Sequence, residues 1–309
     1  LQKQPLIKSI DAIGGMALTS YVNLKVLEIG PIFDIYSTNA VEGYRFTIPL
    51  RTGEEVFRYF TVGGFAGYGT KNKEIKYGAN MGWQPLKSDR FVVRLSYAND
   101  YRLVSQDKFL RFIKKNPNTR GNGNFIAALT SRERNPFLKE EKNIEARFEY
   151  NADKNLDLEF SPYLSLNYST PAVHFTRGDI EYNSYRNYGA LINLRLAFGQ
   201  YYDKLYFARI YYLTQVPVVN ISIDIGQVQL IKKQSEKFGI YAHLHGSIQG
   251  AYNLGQISMR YMINGGYLFG DATYELLDMP VGSMSLGYAK YQFNLLHQAS
   301  FAHNLYTNA

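Results

Sequence analysis

The strongest constraint on this chain is alternation of polarity with a period of two residues. From Leu156 to Tyr168 one face reads Leu156, Leu158, Phe160, Pro162, Leu164, Leu166 and Tyr168; the other reads Asp157, Glu159, Ser161, Tyr163, Ser165 and Asn167. Successive side chains of a strand point to opposite faces, so this run is a strand with one apolar and one polar side. Tyr188, Ala190, Ile192, Leu194, Leu196 and Phe198 repeat the pattern against Gly189, Leu191, Asn193, Arg195 and Ala197. Ile257, Met259, Tyr261, Ile263, Gly265 and Tyr267 repeat it against Gln256, Ser258, Arg260, Met262 and Asn264. Weaker strands are expected near 24–28, 32–37, 43–50, 57–69, 73–83, 90–98, 143–151, 205–212, 218–226, 237–249 and 291–302. Globular strands peak at about 5–6 residues, whereas a strand that crosses a bilayer needs about 9–11. Several of these runs exceed ten residues.

Composition narrows the field. The 309 residues hold no Cys and five His, which leaves no basis for a disulfide scaffold or a zinc ribbon. No run of about 18 apolar residues exists to form a transmembrane helix. Aromatic residues make up 15% of the chain, with 27 Tyr. Tyr suits strands and also membrane interfaces, where one end of the ring is apolar and the other wet. Two all-β architectures remain, a soluble sandwich and a transmembrane antiparallel β-barrel of about 12–16 strands.

Connections and girdles favour the barrel. Asn151–Asn155 and Gln249–Asn253 read as hairpins, while 169–186 and 99–142 read as long connections, so short turns alternate with long loops. Tyr188 and Phe198 lie ten residues apart on one apolar face. At about 3.3 Å per residue and a tilt near 40–45°, that spans the roughly 25 Å apolar band between aromatic girdles. The long loop 99–142 carries ten Lys/Arg and five Asp/Glu, which is most of the net charge of +8. Within it Phe109, Phe112 and Ile113 have helical spacing, Ser105 is placed to cap, and Asn116-Pro117 to stop. This segment reads either as a basic cap contacting acidic sugars or lipopolysaccharide phosphates, or as a solvated loop with a short helix at the rim or in the mouth. The charge is not laid out as a stripe for nucleic acid.

Candidate chemistry is sparse. His243-x-His245 puts two imidazoles on one strand face, with Tyr241, Ser247 and Gln249, but no third ligand lies nearby in sequence, and ordinary lumen polarity is the simpler reading. Gly63-Gly64-Phe-Ala-Gly67-Tyr-Gly69 follows a strand without a helix after it, so it lacks the phosphate-cradling geometry and is expected to shape the sheet. No catalytic, cofactor or metal motif is present, and no enzymatic role is expected. Glu145, Arg147, Glu149, Asp157, Glu159, Arg195, Lys237, His243 and Arg260 form a lumen-facing set of mixed sign, which suits a lumen filled by interlocking side chains or a plug.

One stretch has a family likeness. Gly30-Pro31, then Ser37-Thr-Asn39-Ala-Val-Glu42-Gly43-Tyr-Arg45, then Arg51-Thr52, Gly67-Tyr68-Gly69, Lys76-Tyr77-Gly78, Asn99-Asp100, Pro217-Val218 and Phe293-Asn294-Leu295 resemble a barrel domain widespread in the Bacteroidota. The resemblance implies an outer-membrane barrel of no assigned function, usually preceded by a carboxypeptidase-regulatory-like β-sandwich and continuing past Leu295 with further strands. It marks Gly30, Pro31, Asn39, Glu42, Gly43, Arg45, Tyr68, Gly69, Lys76 and Tyr77 as motif residues of unknown role. A fainter similarity links the chain to the surface-antigen superfamily that assembles outer-membrane proteins; of its Arg-Gly-aromatic lumen motif, Arg177-Gly178 and Arg120-Gly121 keep only Arg-Gly. Glu42 and Arg45 would face opposite ways in a regular strand, but a bulge at Gly43 would bring both to the lumen side to pair.

The expectation is a lead-in over 1–23 and a barrel over 24–309 whose last strands are incomplete, located in the bacterial outer membrane. Its expected role is assembly, export or scaffolding of envelope proteins. A passive porin and a soluble surface adhesin are the alternatives. The implied partners are outer-membrane lipid or lipopolysaccharide and other outer-membrane or periplasmic proteins. No cofactor and no nucleic acid are expected.

Overall fold

The computed structural model describes residues 20–104, 108–113, 134–152, 156–177, 180–212, 215–231, 237–255, 257–279, 282–283, 293–294 and 302–308. The strands in chain order are β1 (Val22–Asn23), β2 (Leu27–Ile29), β3 (Tyr36–Asn39), β4 (Gly43–Thr52), β5 (Phe60–Gly69), β6 (Ile75–Trp83), β7 (Phe91–Leu103), β8 (Leu138–Ala152), β9 (Leu156–Tyr168), β10 (Phe175–Arg177), β11 (Ile180–Tyr182) and β12 (Ser184–Leu196). They continue with β13 (Tyr202–Leu205), β14 (Ala208–Tyr211), β15 (Val218–Leu230), β16 (Lys237–Leu254), β17 (Ile257–Gly270), β18 (Gly282–Ser283), β19 (Phe293–Asn294) and β20 (Leu305–Asn308). One 14-stranded sheet runs in the order β1-β2-β4-β5-β6-β7-β8-β9-β12-β15-β16-β17-β20, with β3 also on β4. Its pairs are all antiparallel. Among the described residues no pair joins β1 to β20.

The sheet is strongly curved. Arg45 on β4 reaches Asp100 on β7 at 2.6 Å, and Tyr163 on β9 reaches Tyr241 on β16 at 2.7 Å. Each contact spans three strand spacings, about 14 Å in a flat sheet, so these side chains meet across the inside of a barrel-like wall. The register assigns each residue to a face. Asp157, Glu159, Ser161, Tyr163, Ser165 and Asn167 point inward, as the alternation requires, beside Asn187, Asn193 and Arg195 of β12. Asn220, Ser222 and Asp224 follow on β15 and His243, His245 and Ser247 on β16.

Polarity is inverted relative to a soluble domain. Among the described residues 31 polar or charged side chains are buried against 20 hydrophobic ones. The outward positions are apolar and exposed: Phe46 and Ile48 on β4, Phe160 and Leu164 on β9, Ile192 on β12, Ile221 and Ile225 on β15, Leu244 and Ile248 on β16. Tyr44, Tyr68, Tyr77 and Tyr188 lie toward one end of this surface, and Trp83, Tyr150, Phe198 and Tyr252 toward the other, all exposed.

The apolar core sits in a lid rather than between layers. Val104, Val173, Phe175, Tyr182, Val228, Leu230 and Met279 form one buried cluster over the mouth where β7, β9, β15 and β17 end or turn. The opposite mouth is crossed by the β13–β14 hairpin: the Tyr206 hydroxyl shares its proton between the Phe57 and Phe60 carbonyls, each 2.8 Å away, and Arg94 donates to the Phe207 carbonyl at 2.8 Å.

Several expectations need correction. The 99–142 loop is shorter, 104–137, because β7 and β8 stay paired up to Leu103↔Leu138; Asp100, Arg102, Lys139 and Glu141 are wall residues. Gln249–Asn253 is not a hairpin: β16 runs 18 residues and its ladder to β17 continues to Leu254↔Ile257. The 32–37 strand is a 3-10 turn, Ile32–Asp34, followed by β3. The strand at 205–212 belongs to the β13–β14 hairpin and not to the wall. Val22 and Asn23, placed in the lead-in, already pair with Ile29 and Glu28. In the 105–115 helix the described turn is Leu110–Ile113, and the Ser105 cap lies outside the described residues, as does most of 291–302. The side chain of Lys237, expected in the lumen, also lies outside them.

Asp89, in the β6–β7 loop, pins the hairpin through Lys204 at 2.8 Å and Arg209 at 2.5 Å. Burial alone would raise its carboxyl, but those two cations outweigh burial and hold it below the ordinary carboxylate range. A depressed carboxyl stabilises when ionised, and that contribution is lost as pH falls through its folded-state value. Proteolysis within 202–211 should therefore be slow at neutral pH and accelerate in acid. Asp89→Asn should make it fast at neutral pH and flatten the pH response.

Candidate functional site

The motif residues converge at the start of β4. Gly43 opens the strand at φ +76°, a left-handed conformation that costs glycine little. That kink turns Glu42 to the same side as Arg45, so the pair forms inside, with Arg45 Nη1 2.8 Å from Glu42 Oε1. Asn39 serves the turn twice: its Oδ1 accepts from the Glu42 amide at 2.7 Å and its Nδ2 donates to Glu42 Oε2 at 2.8 Å. Arg45 also donates to Asp100 Oδ1 at 2.6 Å and to Thr47 Oγ1 at 3.1 Å. Asn39, Glu42 and Arg45 are fully enclosed.

Room for the guanidinium comes from the glycine run of β5. Gly67 lies opposite Thr47, and a Cβ there would come within 2.8 Å of Arg45 Nε and Nη2 and of Thr47 Oγ1. The run expected only to shape the sheet also clears space for a buried ion pair. A second set lies beside it: Lys76 Nζ pairs with Glu74 and Glu140, both at 2.9 Å, under the Tyr101 ring, whose hydroxyl bonds Glu74 at 2.9 Å.

The other motif residues divide. Gly69 packs under Glu42, its would-be Cβ 3.0 Å from that side chain, and the Gly30 amide donates to Pro49 at 3.1 Å, next to a cis peptide at Pro31. Tyr68 and Tyr77 face outward and are exposed, apart from the cluster.

The lumen holds a second assembly that enters from the 104–137 connection. Phe109 is 1% exposed and lies between the two imidazoles, stacked on His245 at 4.7 Å and edge-on to His243 at 4.8 Å. The His243-x-His245 pair thus grips an aromatic ring. Among the described residues no group of three His, Cys, Asp or Glu is placed to hold a metal. Lys108 pairs with Asp224 at 2.8 Å and lies 3.5 Å over the Tyr163 ring. Arg111 reaches Glu145 at 2.5 Å, Ser161 at 2.9 Å, and Glu159. From there the pairs continue along the wall: Arg147 to Glu145 at 3.2 Å and Glu159 at 3.3 Å, Arg94 to Glu149 at 2.7 Å, and Arg195 to Asp157 at 3.0 Å.

Of the lumen set, Glu145, Arg147, Glu149, Asp157, Glu159 and Arg195 are therefore paired with one another, with Arg94 or with the inserted segment. Sequence reasoning missed Lys108 and Arg111 as lumen ligands, because nothing local says that a loop turns inward. Asp100, expected in the long loop, is an inward wall residue, and Asp224 shares the inward face of β15 with Asn220 and Ser222. Comparison with family models, curated proteins and solved structures finds no match to the chain.

Removing one partner of a buried ion pair costs about 3–5 kcal/mol. Arg45→Met should lower the urea midpoint of the folded protein accordingly, and Glu42→Gln with Asp100→Asn in the same chain should restore much of it. Gly67→Val should be as damaging as Arg45→Met and should not be rescued by that pair of changes.

Proposed function

We propose that this chain is an integral β-barrel of the bacterial outer membrane, a component for assembly, export or scaffolding of envelope proteins, with a lumen filled by its own loops. The observation that carries the reading is the inverted polarity of the wall. Soluble monomers rarely expose contiguous apolar patches beyond a few hundred Å², whereas outward apolar and inward polar positions alternate in transmembrane barrels. In the regular register of the ten long strands, β4–β9, β12 and β15–β17, charge occupies only three outward positions, Glu140, Lys142 and Arg186. At 13 residues, β9 and β12 have the length for a tilted crossing.

The inward pairs and the two covered mouths favour a scaffold or assembly component over a passive porin. In planar bilayers the porin reading expects steady conductance from the purified chain, and the plugged barrel expects little. Co-purification of envelope proteins from gently solubilised membranes tests the assembly role, and a lone, steadily conducting monomer would count against it.

Ile192 separates membrane from water most cleanly. In water, arginine at this exposed position would change stability by at most about 0.5 kcal/mol. At the midplane of a bilayer it would cost about 2–4 kcal/mol. Ile192→Arg should thus lower folding stability in lipid vesicles several-fold more than a surface change, and the wild-type chain should need detergent for extraction and show a heat-dependent gel shift. A chain released without detergent, with Ile192→Arg neutral, would sink the membrane reading.

A further inference from the structure

The three outward charges lie together. Lys142, Leu166 and Arg186 are consecutive cross-strand neighbours on β8, β9 and β12, and the row continues through Gln229 on β15 to Lys237 on β16 across a register shift. At about 4.8 Å per strand, Lys142 and Arg186 stand roughly 10 Å apart with one leucine between them, within reach of a single anion. Lys142 Nζ lies 5.1 Å from the Tyr168 ring centroid. Among the described residues neither cation makes an ion pair, whereas Glu140, the outward carboxylate of this cluster, is matched by Lys76 at 2.9 Å. The adjoining row on the same face is Ile144, Leu164 and Tyr188, all exposed. Beyond it come Pro162 and Ala190, which are small, and then Phe160 and Ile192.

Charge above and a shallow apolar track below match one chemistry, a phosphate headgroup with acyl chains attached. We propose that Lys142 and Arg186 form a binding site for the phosphate of an anionic membrane lipid, whose chains lie along the Ile144–Leu164 track. The site rests on the membrane reading above. Long basic side chains at the end of an apolar band lift their charge to the headgroup level, and each contributes about 1 kcal/mol of attraction to an anionic lipid surface. The rest of the outer face in the regular register carries no charge, which makes the attraction local to this seam of strands.

The test uses the full chain in nanodiscs of phosphatidylcholine with a minor fraction of phosphatidylglycerol, then counts retained lipids by native mass spectrometry. The wild type should keep phosphatidylglycerol in preference to phosphatidylcholine. Lys142→Gln or Arg186→Gln should each lower that retention roughly fivefold, and the double change roughly twenty- to thirtyfold, with the heat-dependent gel shift intact. Arg134→Gln, which removes a cation above the distant Tyr44 ring, should leave retention unchanged. Added inorganic phosphate should also leave it unchanged. Equal retention by wild type and double variant, no preference between the two lipids, an equal loss in Arg134→Gln, or displacement by inorganic phosphate would each overturn the site. A chain that enters nanodiscs normally but shows no preference sinks only this site; failure to enter any bilayer sinks the membrane reading itself.

Discussion

Charge enclosed by the sheet must be matched, and the rest of the structure follows from that requirement. Arg45, Glu42 and Asn39 are shut away from solvent, and a charge in such a place is tolerated only with a partner and its hydrogen bonds supplied. On the wall, Arg147 alone meets both Glu145 and Glu159, and among the described residues Asp224 has no wall cation. Lys108 and Arg111 arrive from the 104–137 connection to pair with them. Ion pairing therefore draws a loop into the lumen and gives the inserted segment its address. Phe109 between His243 and His245 adds an aromatic contact to a site otherwise specified by charge.

The two mouths are closed by different means. At one, an apolar lid gathers Val173, Phe175 and Tyr182 from the β9–β12 connection over Val228 and Leu230 of β15. At the other, the β13–β14 hairpin is fastened through Asp89 and Asp157 to the loop and strands beside it. The ordinary driving force for folding a soluble domain thus operates in the lid and in a smaller cluster of Tyr101, Leu103 and Leu138, while the wall presents its apolar side outward. Such a wall is stable where the surroundings are themselves apolar, and its antiparallel ladder then satisfies the backbone groups that lipid cannot.

Alternation made the wall legible. Leu156–Tyr168 and Tyr188–Leu196 fold with the facing read from their residues, because a period of two admits one assignment of sides once one side carries all the charge. Ends were less legible. Glu140 and Glu141 looked like loop charge but belong to a strand that outlasts its apolar band, and Gln249–Asn253 looked like a turn but continues a ladder, because Gly250 and polar Gln249 fit a strand as readily as a turn. The Glu42–Arg45 pair was half legible: its partnership needed the kink at Gly43, which was anticipated, and Asp100, which lies three strands away.

By itself the sequence determined an all-β chain with long strands, an apolar and a polar face on each, and the positions that face inward. Local pattern suffices for this because side-chain direction in a strand depends only on parity. Only the tertiary structure decided which inward charges meet, that Lys108 and Arg111 enter the lumen, and that Lys142 and Arg186 flank Leu166 on the outer face. Those outcomes depend on strand order, register and the path of a loop, which bring together residues as far apart as Lys108 and Asp224.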